Sequence, residues 1–257
     1  MAETSAGRLF LVPNTLDFGL PEDQWVDLQT VLPPQVLQVA ARLDHWVAES
    51  AKTTRAFLKR VDRLVPLTRP LQQIAITELP RPAKGRPAAA PADWSRLLAP
   101  AMAGHDLGLI SEAGLPAVAD PGAELVQAAH AAALEVVPMS GPSSLILAVA
   151  ASGLNGQSFA FVGYLPVEAG SRSKALKELE THSRRWRQTQ LVIETPYRNP
   201  ALFEALLREL NPATRLSVSC GLSLAQGWTR TRSVAQWRIA PAALPADVPA
   251  VFAFLAG

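Results

Sequence analysis

The stretch GLISEAGLPAVADPG, Gly108 to Gly122, constrains the fold more than any other part of the chain. It opens as a buried strand and then spends a dozen residues on glycine, proline, alanine and two acids. Backbone so small and so restricted in φ belongs where a strand ends and something approaches the main chain closely. In an open parallel sheet, ligands sit beyond the carboxyl ends of the strands. Gly114 is expected to admit a ligand to the backbone, with Ala113, Ala117 and Ala119 leaving room beside it. Asp120-Pro121-Gly122 is expected to open the next helix with Asp120 as its N-cap. A tight strand-to-helix loop without a ligand fits the same residues.

A second stretch, VVPMSGPSSLI (Val136–Ile146), repeats the pattern, turning on Gly141-Pro142 and opening a helix with Ser143 and Ser144. Two such turns can wall one crevice. They offer amides and hydroxyls but little charge, which suits an adenine, a ribose and a zwitterionic tail better than a polyphosphate.

Around these turns, short apolar runs alternate with helical ones. Arg8–Pro13, Gln72–Thr77, Asp106–Ser111 and Leu134–Met139 read as buried strands. Gln35–Glu49 reads as one helix with Val36, Val39, Ala40, Leu43 and Val47 on a single face, and Ala123–Leu134 as another. Such alternation implies an α/β fold with a parallel sheet covered on both sides. After Met139 the strands are expected at Ser158–Tyr164, Gln190–Thr195, Arg215–Cys220 and Val251–Ala256. Helices are expected at Pro142–Gly153, Lys174–Trp186 and Pro200–Leu210. A boundary near Ser140 gives two α/β domains, 1–139 and 140–257, and Arg81–Ala92 reads as a surface loop within the first.

Several classes fall away. A single cysteine, Cys220, excludes an internal disulfide and a cysteine-rich zinc site. The chain lacks G-x-G-x-x-G after its first strand, a P-loop, H-E-x-x-H and G-x-S-x-G, and its four histidines have no metal spacing, so no metal is expected. The start has no signal-peptide pattern, and the longest apolar helical stretch is about half of the ~20 residues a membrane span needs. A cytoplasmic protein without membrane contact is expected. Net charge is only +2, yet Ser171–Gln188 carries six Lys or Arg against two Glu, and Arg81–Pro87 adds three cations. These patches read either as solvated surface or as phosphate contacts.

LISEAGLPAVADPG, VVPMSGPSSLILAVAASGL and FAFVGYLP together resemble the tetrapyrrole methylase family, the class III S-adenosylmethionine-dependent methyltransferases. Within it they are most similar to the branch of ribosomal RNA small subunit methyltransferase I, which methylates a cytidine 2′-hydroxyl. GRLFLVPNT, WVAESAKTTRAFL and LVIETPYRNPALFEALL extend the resemblance over nearly the whole chain. It implies two α/β domains, the second with a mixed sheet, a cleft between them holding folded S-adenosylmethionine, and a homodimer. Carried over by position, the cofactor contacts are Pro13, Ala113, Gly114, Leu115, Pro116, Val118, Ala119, Ser143, Ser144, Thr195, Cys220, Gly221, Leu222, Pro249 and Ala250. Asn14, Glu49, Lys52, Tyr197 and Arg198 fall where the acceptor, ribosomal RNA or the small ribosomal subunit, is expected to bind. The RNA branch's EDTR is here ESAK (Glu49–Lys52), and its EAPHR is ETPYR (Glu194–Arg198).

The expected chemistry is methyl transfer, where alignment of acceptor and methyl supplies roughly 7–11 kcal/mol without a nucleophilic side chain. A ribose hydroxyl also benefits from a base. Glu112 and Glu194 are the leading candidates, ahead of Glu49, Lys52 and Asp120. Two alternatives stand beside RNA methylation. One is methylation of a tetrapyrrole or other small molecule, against which Leu115 counts, because that branch carries an aspartate there. The other is binding of S-adenosylmethionine without transfer, prompted by ESAK and ETPYR.

Overall fold

Side chains alternate across a β-strand, so a strand apolar on both faces needs a helical layer on each. The chain meets that demand twice. A computed structural model describes residues 5–17, 20–80 and 93–257, divided into two units, Met1–Pro142 and Ser143–Gly257. The Arg81–Ala92 segment, with its three cations, lies outside the described residues.

The first unit runs β1 (Leu9–Leu11), α1 (Leu28–Val31), α2 (Pro34–Arg42), β2 (His45–Ala48), α3 (Ala51–Asp62), β3 (Ala75–Glu78), α4 (Trp94–Met102), β4 (Leu107–Ile110), α5 (Ala123–Ala131) and β5 (Val136–Pro138). Its five strands form one parallel sheet in the order β3-β2-β4-β1-β5. Phe10, Trp46 and Ile110 point into one core with α1 to α3, while Leu9, Val47, Leu107 and Leu109 point into another with α4 and α5. The α/β reading and the doubly covered parallel sheet therefore hold.

The second unit runs α6 (Ser144–Ser152), β6 (Phe159–Tyr164), α7 (Ala169–Trp186), β7 (Thr189–Ile193), α8 (Asn199–Glu209), β8 (Arg215–Cys220), β9 (Trp228–Ser233), α9 (Val234–Ile239) and β10 (Ala250–Leu255). Its sheet, β6-β7-β10-β8-β9, is mixed: β6 and β7 are parallel, and the other pairs antiparallel. Val192, Val218, Phe252 and Phe254 pack under α7, α8 and α9, and Leu191, Val251 and Ala253 under α6. Gly153, left-handed at φ 64°, ends α6 as expected.

Three expectations change, and two elements come without one. Gln35–Glu49 is not one helix: α2 stops at Arg42, Leu43 turns extended, and His45–Ala48 becomes strand β2. The aliphatic spacing misled because Trp46 and Val47, neighbours in sequence, are buried on opposite faces, which only a strand can do. The strand expected at Gln72–Thr77 is Ala75–Glu78, and as the sheet edge it is largely exposed, not buried. Asp120 is not a helix cap: Gly122 occupies the N-cap of α5, at φ 130°. Finally, β9 and α9 had no expectation; Trp228-Thr-Arg-Thr-Arg-Ser233 is an edge strand with polar residues outward, and Ser233 with Gln236 closes a capping box before α9.

One glycine is explained by packing alone. A Cβ at Gly108 would lie 2.6 Å from the buried Trp46 ring, on the neighbouring strand. Gly108→Ala should cost about 1–3 kcal/mol through overpacking. A urea midpoint equal to wild type would contradict this packing.

Candidate active site

In the first unit, β1, β4 and β5 are adjacent and parallel, so the segments leaving them emerge together at the carboxyl edge of the sheet. The segment after β1 is fastened to the one after β4. Asn14 and Gly114 form an antiparallel bridge, Asn14 N–H donating to Gly114 O (2.9 Å) and Gly114 N–H to Thr15 O (3.3 Å). The buried Asn14 amide also donates to the carbonyls of Ser111 (3.2 Å) and Glu112 (3.1 Å), and its oxygen accepts from Thr15 N–H. Asn14, expected as an acceptor contact, spends its side chain on holding two loops together.

The segment after β5 is fitted to the same loop. A Cβ at Gly141 would fall 2.2 Å from Pro13 Cβ. What comes close to that main chain is the protein's own proline. At Gly114 the conformation itself asks for glycine. An added Cβ there would meet Leu16 and the Pro142 carbonyl at ordinary contact distances, so the glycine is demanded by its φ of 68°.

The loop between β4 and α5 carries further left-handed residues: Ala117 and Ala119, both at φ 62°, and Gly122. A non-glycine residue in that region costs roughly 1–2 kcal/mol, and such strain clusters at functional sites. Ala119 and Val118 are exposed, Leu115 half-buried and Pro116 buried. The N–H groups of Ala117 and Ala119 donate to no protein acceptor among the described residues.

Three carboxylates converge at this edge. Glu49 follows β2, Glu112 follows β4, and Asp120 lies in the left-handed loop. Glu49 Oε2 accepts the Glu112 amide at 3.0 Å. Burial pushes Asp120 up from 3.8 to about 7, the charges of Glu49 and Glu112 push the same way, and the nearby Ser111 hydroxyl works against them. A carboxylate poised near neutrality is suited to exchanging a proton at physiological pH. Sequence reasoning ranked Asp120 low because Asp-Pro-Gly before a helix has the pattern of a cap.

Beside these acids is a cleft of ≈ 270 Å³ lined by Asn14, Asp17, Trp25, Lys52, Phe57, Arg60 and Glu112, among others. Its wall is an ion pair absent from the sequence reading. Arg60 meets the buried Asp17 carboxylate at 3.0 Å and stacks over Trp25 at 4.9 Å; Asp17 also accepts from Thr15 Oγ1 and from the Val26 amide. A larger cleft, ≈ 580 Å³, lies at the opposite edge of the sheet. Within it Asp106 is paired with Arg8 (3.1 Å) and Arg42 (2.7 Å), and it is the wrong edge for a ligand of a parallel sheet.

In the second unit, the C-terminal ends of β7 and β8 meet the start of β10, because Ile193 pairs with Val251 and Cys220 with Ala250. Thr195, Cys220, Gly221, Leu222, Pro249 and Ala250 thus share one sheet edge. Gly221 is left-handed at φ 64° and donates to Pro249 O at 2.9 Å. Burial pushes the Cys220 thiol up, making it a packing group and not a nucleophile. Ser143 is the N-cap of α6 but makes no side-chain cap bond, and Ser144 begins the helix. Glu194 is held by Arg198 at 3.2 Å and by the Thr195 amide at 2.8 Å, so its carboxylate and Arg198 serve each other. Tyr197 is 68% exposed.

No protein-family model matches the chain. Curated proteins do. A Mesorhizobium japonicum protein named Ribosomal RNA small subunit methyltransferase I is 32% identical over 154 residues, 60% of this chain and 50% of that protein. Its namesake in Synechocystis is 37% identical over 123 residues (48% and 43%), and that in Pseudomonas aeruginosa 38% over 106 (41% and 36%). The chain resembles that branch. It spans half or less of the length of these relatives. A solved structure of uroporphyrin-III-C-methyltransferase from Thermus thermophilus superposes at TM-score 0.48 and 19% identity over 97% of this chain and 94% of its own.

The raised Asp120 value has a consequence for stability. The unfolded chain releases this proton near 3.8 and the native one near 7, so the stabilisation from the bound proton is complete below pH 4 and lost as pH rises through 7. Asp120→Asn, which has no charge to bury, should therefore raise the melting temperature more at pH 8 than at pH 5. Equal shifts at both would contradict the assignment.

Proposed function

We propose that this chain is an S-adenosylmethionine-dependent methyltransferase acting on a ribose 2′-hydroxyl of RNA, with the small ribosomal subunit as its partner. We infer that it works in the cytoplasm and as a homodimer. Similarity to relatives named ribosomal RNA small subunit methyltransferase I supports methyl transfer to RNA. The observation that carries the chemistry is the half-buried Asp120 carboxyl beside Glu49 and Glu112 at the carboxyl edge of a parallel sheet.

The residues present fit a cationic, zwitterionic ligand. Three carboxylates complement positive charge and would repel a polyphosphate. Ala117 and Ala119 offer backbone N–H groups unclaimed by other protein acceptors, and their methyls are the smallest side chains that leave such a loop open. When bound, S-adenosylmethionine supplies an electrophilic methyl on a positively charged sulfur. Ala113 to Ala119 would hold it through backbone contacts, which need no particular side chain. Asp120 would accept the proton that the acceptor hydroxyl gives up, a contribution of about 10²–10⁴ in rate. Glu49 would orient the Glu112 segment through the amide it binds.

The test is transfer of labelled methyl to total RNA from a strain lacking the gene, followed by nucleoside analysis. Label in a 2′-O-methylnucleoside is the expected result. Asp120→Asn should lower the rate about 10²–10⁴-fold while calorimetric affinity for S-adenosylhomocysteine stays within threefold of wild type. Wild-type activity should rise with pH through about 7, as the carboxylate forms. An unlabelled RNA pool, or a variant as fast as wild type, would remove the reading.

A further inference from the structure

The basic stretch that stands out in the sequence is partly committed to neighbours. On α7, Lys174 approaches Glu178 (4.0 Å), Lys177 approaches Glu209 (3.8 Å), Arg184 donates to the Gly257 carbonyl and Arg172 to the Val167 carbonyl. Four of the six cations between Ser171 and Gln188 are thus engaged, and Arg185 lies over the Trp186 ring. The helix α3 is different. Lys52, Arg55 and Lys59 lie three and four residues apart, and Arg63, its C-cap, continues the line, so the four share a face about 16 Å long. All four are exposed, and among the described residues none is in an ion pair; Arg55 reaches only the Ala51 carbonyl of its own helix, at 3.5 Å.

Helix energetics accounts for half of this arrangement: Lys59 in the last turn and Arg63 at the C-cap complement the helix dipole, but Lys52 and Arg55 gain nothing from it. Like charges at i,i+4, as in Arg55/Lys59 and Lys59/Arg63, each cost a few tenths of a kcal/mol. Lys52 sits in the first turn, where the helix dipole is positive and an acid is preferred, and that turn carries no acid. The opposite face, Thr54, Phe57, Leu58 and Val61, is buried against the core, so the cations are held in a fixed line. Arg60, between the two faces, is tied to Asp17 and Trp25 and locks the helix rotation.

The stripe also leads somewhere. A groove of ≈ 370 Å³ runs along it, lined by Lys52, Arg55, Lys59, Arg60, Arg63 and Trp25, with Glu22 as the one opposing acid. It shares Trp25, Lys52, Ala56 and Arg60 with the cleft that reaches Glu112. A basic track therefore runs along α3 to the acid group within a single unit.

We propose that Lys52, Arg55, Lys59 and Arg63 on α3 form the contact surface for the phosphodiester backbone of the RNA substrate, and deliver a nucleotide to the cleft beside Glu112. The inference rests on the RNA reading above and adds the place where RNA docks. Side chains of this kind, four flexible point or planar cations in a row, bind phosphates without reading bases, so the contact is independent of sequence.

The test measures anisotropy of a labelled single-stranded oligoribonucleotide with the full chain between 50 and 200 mM salt. Each phosphate contact on a single strand contributes about −0.7 to the slope of log K against log salt, so four give roughly −3. Lys59→Gln with Arg63→Gln should shrink the slope by about 1.4, and Lys174→Gln with Lys177→Gln should leave it unchanged. Melting curves confirm that these exposed substitutions stay folded. A wild-type slope in the α3 variant overturns the proposal, as does an α3 variant that loses only binding to phosphatidylserine vesicles. Methyl transfer to RNA, measured on the same proteins, separates the two readings. Wild-type transfer with the slope unmoved in the α3 variant removes the track and spares the methyltransferase reading. A slope that shrinks as expected, with no transfer by the wild type, upholds the track and removes the chemistry. Absence of salt-dependent RNA binding by the wild type removes the track outright.

Discussion

The first unit depends on one fastening. Asn14 reaches from the segment after β1 to the segment after β4 with its backbone and its side chain together. Those carbonyls and amides leave the sheet ladder at the strand ends, and buried without partners each would cost about 1–3 kcal/mol. By pairing them with one another, the two segments satisfy that demand and fix their spacing. Pro13 then settles against Gly141, which draws in the segment after β5. The left-handed loop from Gly114 to Gly122 can hold its strained residues because both its flanks are pinned, at Gly114 by this bridge and at Gly122 by the start of α5. Strain of that kind persists only where the surroundings over-determine it.

Much of this architecture was legible in advance. Leu-Ile, Val-Val and Phe-Leu runs ending in glycine and proline are strands leaving a sheet, and the helix from Ser144 to Gly153 announced both of its ends. Where reading failed, the cause was a shared pattern. Val36, Val39, Ala40, Leu43 and Val47 satisfy a helical period, but Trp46 and Val47 reach opposite cores, and only tertiary placement reveals that. The strand from Trp228 to Ser233 carries Thr, Arg and Ser because it is an edge with a solvated face, so apolar runs could not find it.

The site was legible in part. Glu49, Glu112 and the small-residue loop were readable because glycine and proline advertise unusual backbone. The purpose of the glycines was not readable, since Gly141 and Gly108 are shaped by Pro13 and Trp46, residues distant in sequence. Asp120 was hidden behind its resemblance to a cap; its perturbation depends on burial, on Glu49 from the end of another strand and on Glu112 earlier in its own loop. The α3 stripe was hidden by dilution. Four cations spread over twelve residues among Phe, Leu and Val make no run in sequence, whereas in the denser run on α7 Lys174 and Lys177 are paired with Glu178 and Glu209.

The departures from the RNA branch look different once these neighbours are in place. ESAK replaces an acid with Ser50 and an arginine with Lys52. Ser50 caps α3, its Oγ accepting the Thr53 amide and its carbonyl the Thr53 and Thr54 hydroxyls, so the helix start that an aspartate would secure is secured here as well. Lys52 keeps the positive charge and gives up only the planar fork, which matters for bidentate recognition and little for a backbone contact spread over four cations. In ETPYR, Arg198 remains and anchors Glu194. The changes at Ser50 and Lys52 thus keep a cap and a charge, while Tyr197, in place of a histidine, is an exposed ring with no structural counterpart to that role. The charge, the cap and the ion pair are intact at these positions.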